Sequence, residues 1–306
     1  MRAIRVWAAA CTISLAALGS AGAQLAPAER TDWGTFTPYS GQPGKDVIWI
    51  PSAQALVDRM LDMAGATPAD YLIDLGSGDG RTVITAAKRG IKALGVEYNP
   101  EMVALSRRAA AEAGVTDKAT FVHGDIFEKD FSQATVLTLF LLDTLNMKLR
   151  PTILNMRPGT RVVSNTFRMG DWMPDQSIDA GGDCTSYCTA HKWIVPAKVG
   201  GTWSLPDGEL TLTQRFQMVT GTLSVGGKEM PISEGRLNGA EISFIAGDRA
   251  MSDGSAERAS TPSPRTATCR LGPACSARKP DQAGLSEMAG GPARASLALT
   301  EDYVIR

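Results

Sequence analysis

Residues 71–81, Tyr-Leu-Ile-Asp-Leu-Gly-Ser-Gly-Asp-Gly-Arg, constrain the fold of this chain more than any other segment. The apolar start predicts a short strand, and Gly76, Gly78 and Gly80 predict a tight turn directly after it. Glycine adopts positive φ without steric cost and lets a ligand approach the main chain closely. Because a turn between a strand and a helix also uses glycine for purely structural reasons, the turn alone favours neither role.

The spacing of the three glycines narrows the choice of ligand. They follow the pattern G-x-G-x-G, so the third glycine comes one residue earlier than in the dinucleotide fingerprint G-x-G-x-x-G. A carboxylate, Asp74, stands just before the turn. This pattern favours S-adenosylmethionine over NAD as the cofactor.

Strands alternate with helices on both sides of this turn. A helix from Ser52, which can cap it, to Gly65 comes first. Strands are then predicted at 71–75, 92–97, 119–124 and 134–141, with helices at about 80–89 and 100–113. The last of these strands is apolar almost throughout, which is typical of a parallel strand covered on both faces. The predicted fold class is a doubly wound, Rossmann-like α/β sheet.

Downstream of this alternation we predict a further helix, a fifth strand and then a different kind of sheet. The helix follows Leu149 and carries Pro151 in its first turn, and the strand covers 161–166. Short alternating segments broken by glycine at 209–219, 221–225, 230–237 and 241–245 predict a C-terminal antiparallel β extension. We therefore divide the chain into a cofactor domain at 46–192 and a β extension at 193–248.

The tail at 249–306 has a different composition. Residues 252–296 contain no Phe, Trp, Tyr, Ile or Val, so they cannot bury enough apolar area to offset the entropy of ordering. We expect a disordered tail, and the abrupt change suggests the hypothesis of a shifted reading frame or a degenerate end.

The N-terminus predicts export to the periplasm or the extracellular space. Arg2 and Arg5 precede an uncharged run that ends in Ala21-Gly22-Ala23, as in a signal peptide of residues 1–23 with a small-residue cleavage site. The alternative is an uncleaved membrane anchor, which would associate the chain with the membrane and still place the remainder outside the cytoplasm. A polar, Gly- and Pro-rich lead-in at 24–45 follows.

Net charge and cysteine content limit the partners and the metals that we expect for this chain. The formal net charge of -1 gives no indication of a nucleic-acid partner. Cys184 and Cys188 are close enough to pair in an oxidising compartment, or to form part of a metal site with His191. A structural zinc site needs four ligands and no fourth is evident, so we predict no metal, while the redox state of the two thiols stays open.

Three carboxylates stand at the predicted ends of successive strands. Asp74, Glu97 and Asp125 follow the first, second and third strands, and ligands of open α/β sheets bind outside these carboxyl ends. Glu97 can accept hydrogen bonds from both ribose hydroxyls, and Asp125 can receive the exocyclic amine of adenine. Each residue alone is typical of a solvated strand end, but the three together indicate a binding site.

These residues carry a family resemblance over roughly 45–200. Asp-Leu-Gly-Ser-Gly-Asp-Gly-Arg81, Gly95-Val-Glu-Tyr-Asn-Pro100, Trp49-Ile-Pro-Ser52, Gly124-Asp-Ile-Phe127 and Arg161-Val-Val-Ser164 resemble class I S-adenosylmethionine-dependent methyltransferases. The similarity is greatest to the lysine methyltransferases that act on the ATP synthase c-ring protein and on the adenine nucleotide translocase, with their bacterial relatives. The tail departs from this pattern.

The resemblance implies a role for each part of the cofactor site. The turn contacts the methionine moiety, the Glu97 segment contacts the ribose, the Asp125 segment contacts adenine, and residues 50–52 close over the site. The cofactor-binding residues implied are Ile50, Pro51, Ser52, Asp74, Gly76, Ser77, Gly78, Gly80, Glu97, Tyr98, Asn99, Gly124, Asp125 and Ile126.

The methyl acceptor is harder to predict, because a sulfonium donor is already activated and needs orientation more than a nucleophile. A lysine acceptor must first lose a proton, at a cost of about 4 to 5 kcal/mol at pH 7 from a pKa near ~10.4. Asp143 and Asn146 follow the fourth strand and are the candidates for orienting the amine. The Asp/Asn-Pro-Pro-aromatic motif of many N-methyltransferases is absent, and Asp143 is equally predicted to cap a helix.

We therefore predict methyl transfer from S-adenosylmethionine, with a protein lysine as the expected acceptor. The alternatives are a small-molecule acceptor, or an exported binding module that retains the fold without catalysis. S-adenosylmethionine is made in the cytoplasm, and nothing in the sequence explains its supply to an exported enzyme. The acceptor and the oligomeric state stay open.

Overall fold

The computed structural model describes residues 36–182, 184–205 and 208–247, together with the backbone of 265–270. The predicted signal peptide or anchor, the first part of the lead-in and most of the tail lie outside the described residues. Within the described ranges, no helix is both long enough and apolar enough to cross a membrane.

The described chain begins with a short hairpin and continues into an alternation of strands and helices. The hairpin pairs β1 (Gln42–Pro43) with β2 (Ile48–Trp49). The elements that follow are α1 (Gln54–Met63), β3 (Tyr71–Leu75), α2 (Arg81–Lys88), β4 (Lys92–Glu97), α3 (Pro100–Glu112), β5 (Ala119–His123), β6 (Val136–Leu139), α4 (Asp143–Ile153), β7 (Arg161–Asn165), β8 (Gln176–Asp179) and β9 (Thr189–Ile194).

The central sheet has the strand order β5-β4-β3-β6-β7-β9-β8. The first five of these strands pair in parallel, and β9 and β8 add an antiparallel edge. Neighbouring residues of one strand enter different apolar clusters: Leu72 packs with α1, α2 and α3, whereas Ile73 packs with α4. The predicted doubly wound α/β sheet is therefore confirmed, and its strand order reverses between β3 and β6.

The second sheet is an antiparallel meander, as predicted for the β extension. Its strands are β10 (Gly201–Leu205), β11 (Gly208–Arg215), β12 (Met218–Val225), β13 (Lys228–Asn238), β14 (Glu241–Ala246) and β15 (Arg265–Arg270). Trp203, Leu210, Leu237, Ile242 and Phe244 belong to its separate core.

The two sheets are joined through a buried glutamine between β11 and β12. Gln217 accepts a hydrogen bond from the Trp172 indole at 2.9 Å and donates one to the Met173 carbonyl at 2.8 Å. The preceding Phe216 stacks on Trp172 with ring centroids 5.9 Å apart. The position 192/193, where we divided the chain, lies inside β9 of the central sheet. The division into two domains stays a prediction.

Several local expectations were wrong. Ser52 does not cap α1, whose N-cap is Ala53 with no side-chain bond; the Ser52 hydroxyl instead accepts a hydrogen bond from Asn165. The helix placed after Leu149 begins at Asp143, so Pro151 lies in its last turn rather than its first. The segment 209–219 is two strands, since the chain turns at Phe216 with φ 54°. Residues 265–270 form β15 inside the tail that we expected to be disordered.

Candidate functional site

The glycine turn is fixed by hydrogen bonds to the neighbouring strand. The amides of Gly76 and Ser77 both donate to the Val96 carbonyl, at 2.8 and 3.1 Å. Gly76, Gly78 and Gly80 all have positive φ, between 55 and 81°. A Cβ at Gly80 would also lie 2.8 Å from the Phe121 ring, so glycine is required there for packing. The turn is thus a fixed wall of main chain at the end of β3.

Glu97 connects the ends of β3 and β4. One of its carboxylate oxygens accepts a hydrogen bond from the Gly78 amide and the other from the Asn99 amide, both at 2.9 Å. The Asn99 side chain accepts a bond from the Glu101 amide and caps α3. The carboxylate is therefore held in place by two amides, and Glu97 lines the cavity described below.

Asp74 is the most perturbed acid of the site. It is buried, and the Thr138 hydroxyl donates to its carboxylate at 2.7 Å. Burial raises the pKa of Asp74 to about 7, against the opposing effect of the Thr138 bond and with a further increase from the negative charges of Glu97 and Asp79. A cationic group beside Asp74 would favour its ionised form. The neighbouring Ser77 hydroxyl is buried, with no partner among the described residues.

Asp125 is paired with a lysine that the sequence did not single out. The Lys45 ammonium makes an ion pair with Asp125, and the Phe127 amide donates to the same carboxylate at 2.9 Å. The hydrogen bond from Lys45 lowers the pKa of Asp125, so the carboxylate is ionised at neutral pH. The Lys45 ammonium also lies 4.9 Å from the centre of the Tyr98 ring.

The segment 44–52 covers one side of the site and is attached at its end. Arg81 donates to the Ser52 carbonyl at 2.6 Å, and Asn165 donates to the Ser52 hydroxyl at 3.0 Å. The Trp49 indole lies directly against Gly78, where it would collide with any Cβ. Only 50–52 of this segment were predicted to close the site.

These elements enclose a cavity of about 230 Å³ at the carboxyl ends of the parallel strands. Eleven of the fourteen predicted cofactor residues line it, namely Ile50, Pro51, Ser52, Asp74, Gly76, Ser77, Gly78, Glu97, Tyr98, Asp125 and Ile126. Gly80, Asn99 and Gly124 do not: the first packs on Phe121, the second caps α3, and the amide of the third donates to the Glu97 carbonyl.

The two predicted acceptor-site residues lie outside the cavity lining. The Asp143 carboxylate is exposed in the first turn of α4 and accepts a hydrogen bond from the Arg168 amide at 2.6 Å. It is not the cap of that helix, because Leu142 is. Asn146 is fully buried, and its amide donates to the Ser164 hydroxyl and to the carbonyls of 167 and 168. Both residues hold the loop after β7, and their catalytic role stays a prediction.

Three aromatic rings that the sequence analysis did not identify form another part of the cavity wall. Phe140 follows β6, Phe167 follows β7, and Tyr187 lies between β8 and β9. The ring centroid of Phe140 is 5.3 Å from that of Tyr187 and 6.1 Å from that of Phe167. The centroids of Phe167 and Tyr187 are also 6.1 Å apart.

The cysteine pair adjoins this wall. Cys184 and Cys188 form a disulfide that closes a short loop around Tyr187. His191 contacts the Ser177 hydroxyl at 2.8 Å and the Thr166 carbonyl at 3.1 Å, and burial lowers the pKa of its imidazole. In the described ranges, no group of three or more His, Cys, Asp or Glu residues could hold a metal ion.

Comparison with known proteins identifies relatives that share this region. A model of the ANTKMT methyltransferase domain matches residues 74–176. A protein-lysine N-methyltransferase from Saccharolobus islandicus is 43% identical over 135 residues, which cover 43% of this chain and 84% of that protein. The Mus musculus lysine N-methyltransferase of the ATP synthase c-ring protein is 38% identical over 136 residues, which cover 44% of this chain and 55% of the mouse protein.

A solved structure also matches about half of the chain. It is an RNA methyltransferase from Salinibacter ruber in complex with S-adenosyl-L-homocysteine, 44% identical, and the match covers 49% of this chain and 96% of that one with a TM-score of 0.46. The strands of the second sheet lie outside the residues that the family model matches. The resemblance predicted from the strand-end motifs is confirmed by the family model and the two sequence relatives.

Proposed function

The chain belongs to the ANTKMT family of S-adenosylmethionine-dependent methyltransferases, and we propose that it methylates the side-chain amine of a lysine in a protein. One observation carries the enzymatic part of this proposal. Asp74, Glu97 and Asp125, from the ends of three strands, line a single cavity beside the glycine turn. A packing role for each carboxylate would not require that they share one cavity.

The residues present fit S-adenosylmethionine. Ser77 has a buried hydroxyl with no partner in the described part of the chain, which is costly unless a ligand supplies one. The Glu97 carboxylate is held by two amides at the cavity wall, where a ribose requires an acceptor for two hydroxyls. The buried Asp74 carboxylate suits the cationic amine of the methionine moiety.

When bound, S-adenosylmethionine supplies a methyl group on a positively charged sulfur. The role of the protein is to orient the ligand and to keep water out of the cavity. Asp74 and Glu97 would hold the polar ends of the ligand, and the apolar wall formed by Leu139, Leu141 and Leu145 would exclude water from the rest of the cavity. Desolvation favours the neutral amine of a lysine, which is the form that accepts a methyl group.

The choice of lysine rests on the relatives. Two of them are described as lysine N-methyltransferases of proteins, and the family model matches residues 74–176, which contain Asp74, Glu97 and Asp125. Leu142 and Met147 are exposed large apolar side chains, Leu142 at the edge of the cavity and Met147 on the helix α4 that follows it. An apolar rim of this kind suits a polypeptide chain that inserts one side chain.

Tritium labelling tests this function. Purified chain with tritiated S-adenosylmethionine should label a protein fraction of cell extract, and mass spectrometry should find the label on a lysine side chain. Glu97→Ala is the matched negative control, since it removes the acceptor of the Gly78 amide without touching the outer rim. Label in a small molecule or in RNA, with none in protein, would overturn the lysine assignment.

We also propose that the chain is exported, with the N-terminus as a cleaved signal or a membrane anchor. The sequence of 1–23 supports this, and so does a disulfide at Cys184–Cys188, since disulfides persist mainly in oxidising compartments. Cell fractionation with N-terminal sequencing tests it. A mature N-terminus at Gln24 in the periplasmic or external fraction is expected, and a cytoplasmic protein that starts at Met1 would refute export.

A further inference from the structure

We propose that Phe140, Phe167 and Tyr187 form the acceptor subsite and stabilise the methylated amine as a cation, with Tyr187 as a specificity-determining residue that the Cys184–Cys188 disulfide positions. This inference rests on the proposed amine acceptor and names the residues that recognise it. Its basis is the juxtaposition of three rings from three separate loops on the wall of the cofactor cavity.

The geometry of the rings suits a cation. The three centroids form a triangle with sides of 5.3, 6.1 and 6.1 Å, and the planes are inclined to one another by 29 to 64°. The rings are therefore neither coplanar nor a single stack, and all three line the same cavity. An ammonium or a methylated ammonium near such faces is attracted by the quadrupole of each ring.

The charge balance of methyl transfer gives these rings a function. A lysine ammonium first releases a proton to water, and the nitrogen lone pair then forms a bond to the methyl carbon. The bond from that carbon to sulfur breaks, and its electron pair stays on sulfur as a neutral thioether. Positive charge moves to the nitrogen, so aromatic faces beside the nitrogen stabilise the product cation and the charge that develops before it.

The placement of Tyr187 depends on its loop. Tyr187 has φ 55°, an uncommon conformation for a residue with a side chain. The Ala180 amide donates to the Cys188 carbonyl at 2.8 Å, and the disulfide joins Cys188 to Cys184 within the same loop. Phe140 and Phe167 instead follow buried strands of the sheet. Reduction of the disulfide should therefore displace the Tyr187 ring more than the other two rings.

Binding of a charged probe tests the subsite without catalysis. The probes are Nα-acetyl-Nε-trimethyl-lysine amide and its neutral tert-butyl isostere, titrated by NMR or calorimetry into the full chain saturated with S-adenosyl-L-homocysteine. The wild type should bind the charged probe about 5- to 30-fold more tightly than the neutral one, the range expected for a desolvated cation on aromatic faces. Equal affinities, or no binding of the charged probe, would overturn the proposal.

Variants assign this preference to the rings. Tyr187→Ala should lose most of it and Tyr187→Phe should keep it, while Tyr39→Ala, the same change at an exposed tyrosine outside the cavity, should have no effect. Affinity for S-adenosyl-L-homocysteine reports that each variant is folded. Should Tyr187→Ala fail to fold, the dithiothreitol-reduced wild type and Cys184→Ser/Cys188→Ser give the same test through the loop. A preference retained in all of these would refute the role of Tyr187.

Lysine labelling tests the proposed function, and the preference for the charged probe tests the aromatic subsite, so the two can fail separately. Lysine labelling with an unchanged probe preference in Tyr187→Ala would leave the proposed function intact and remove this inference. Preference for the charged probe without labelling of lysine would confirm a cation subsite and point to another amine as the acceptor.

Discussion

The Gly78 amide donates a hydrogen bond to the Glu97 carboxylate, and this bond at 2.9 Å joins the glycine turn after β3 to the end of β4. The second oxygen of Glu97 accepts from the Asn99 amide. One carboxylate therefore organises two strand ends and still has lone pairs for a ligand. Charge-assisted bonds of this kind are stronger than neutral ones.

Substitution of Glu97 should reduce cofactor binding strongly. Glu97→Gln retains the shape, but it presents an amide NH₂ to one of the two backbone donors and loses the charge. We expect at least a 10-fold weaker Kd for S-adenosylmethionine, about 1.4 kcal/mol or more. Calorimetry measures this effect, with Glu112→Gln, an exposed change on α3, as the control. Equal affinity of Glu97→Gln and the wild type would contradict the ribose assignment.

Replacement of Gly78 tests the close approach of the turn. A Cβ there would collide with the Trp49 indole, and φ is positive. Gly114 also has positive φ, but open space surrounds its Cβ position. Both Gly78→Ala and Gly114→Ala should therefore lose about 1 kcal/mol of stability through backbone strain. Only Gly78→Ala should also weaken S-adenosylmethionine binding. If the two variants showed the same affinity for S-adenosylmethionine, the turn would not be a ligand site.

The protonation of Asp74 should make cofactor binding depend on pH. Its pKa is about 7 in the free protein because the carboxyl is buried, so the fraction that is ionised rises between about pH 6 and 8. Since a cationic ligand group prefers the ionised carboxylate, affinity for S-adenosylmethionine should increase over this range. Asp74→Asn should bind more weakly with no such rise, whereas the exposed Asp117→Asn should behave as the wild type. A flat pH profile in the wild type would refute this role of Asp74.

The Asp74 carboxyl should lower the stability of the ligand-free protein at pH values where it is ionised. The folded state holds the Asp74 proton more tightly than the unfolded chain, so its contribution is fully present below the ordinary pKa of 3.8 and is lost as pH rises to about 7. Asp74→Asn should therefore raise Tm relative to the wild type at about pH 8, with little difference near pH 4. Thermal unfolding without ligand measures both. A lower Tm of the variant at the higher pH would mean that the carboxylate is stabilising.

Gln217 should matter for stability and not for the site. Gln217→Ala leaves the Trp172 indole N–H and the Met173 carbonyl without their partner, at a cost of about 1 to 3 kcal/mol. Denaturant unfolding should show this loss, while Gln54→Ala on the exposed face of α1 should show little. Affinity for S-adenosylmethionine should not change in Gln217→Ala, because Gln217 does not line the cavity. A changed affinity would show that the second sheet affects the site.

Sequence patterns predict the cofactor side of the cavity well because its residues follow strands directly. Asp74, Glu97 and Asp125 each lie at or beside the carboxyl end of a parallel strand, and parallel strands bring such ends to one edge. Continuous apolar runs predict those strands, since parallel strands of this kind are covered on both faces. The positions of the apolar segments in the sequence therefore predict both the sheet and the cofactor side of the cavity.

The acceptor side escapes sequence reasoning for a different reason. Tyr187 reaches the cavity through the β8–β9 hairpin, and β8 is a largely exposed edge strand whose polar residues show no apolar alternation. Phe140 is indistinguishable in sequence from the apolar core strand that precedes it. Lys45 ends a segment that composition marks only as a lead-in, and the contact of Trp49 with Gly78 is not given by the motif to which Trp49 belongs. Each depends on long-range packing that no local pattern encodes.

Tritiated methyl transfer from S-adenosylmethionine by the purified chain into envelope and cytoplasmic extracts tests directly whether this protein methylates a lysine. The labelled species is then identified by mass spectrometry. We predict label on a lysine side chain of a protein, abolished or greatly reduced by Glu97→Ala. Absence of transfer to any fraction, together with no binding of S-adenosylmethionine by calorimetry, would contradict a methyltransferase function for this protein.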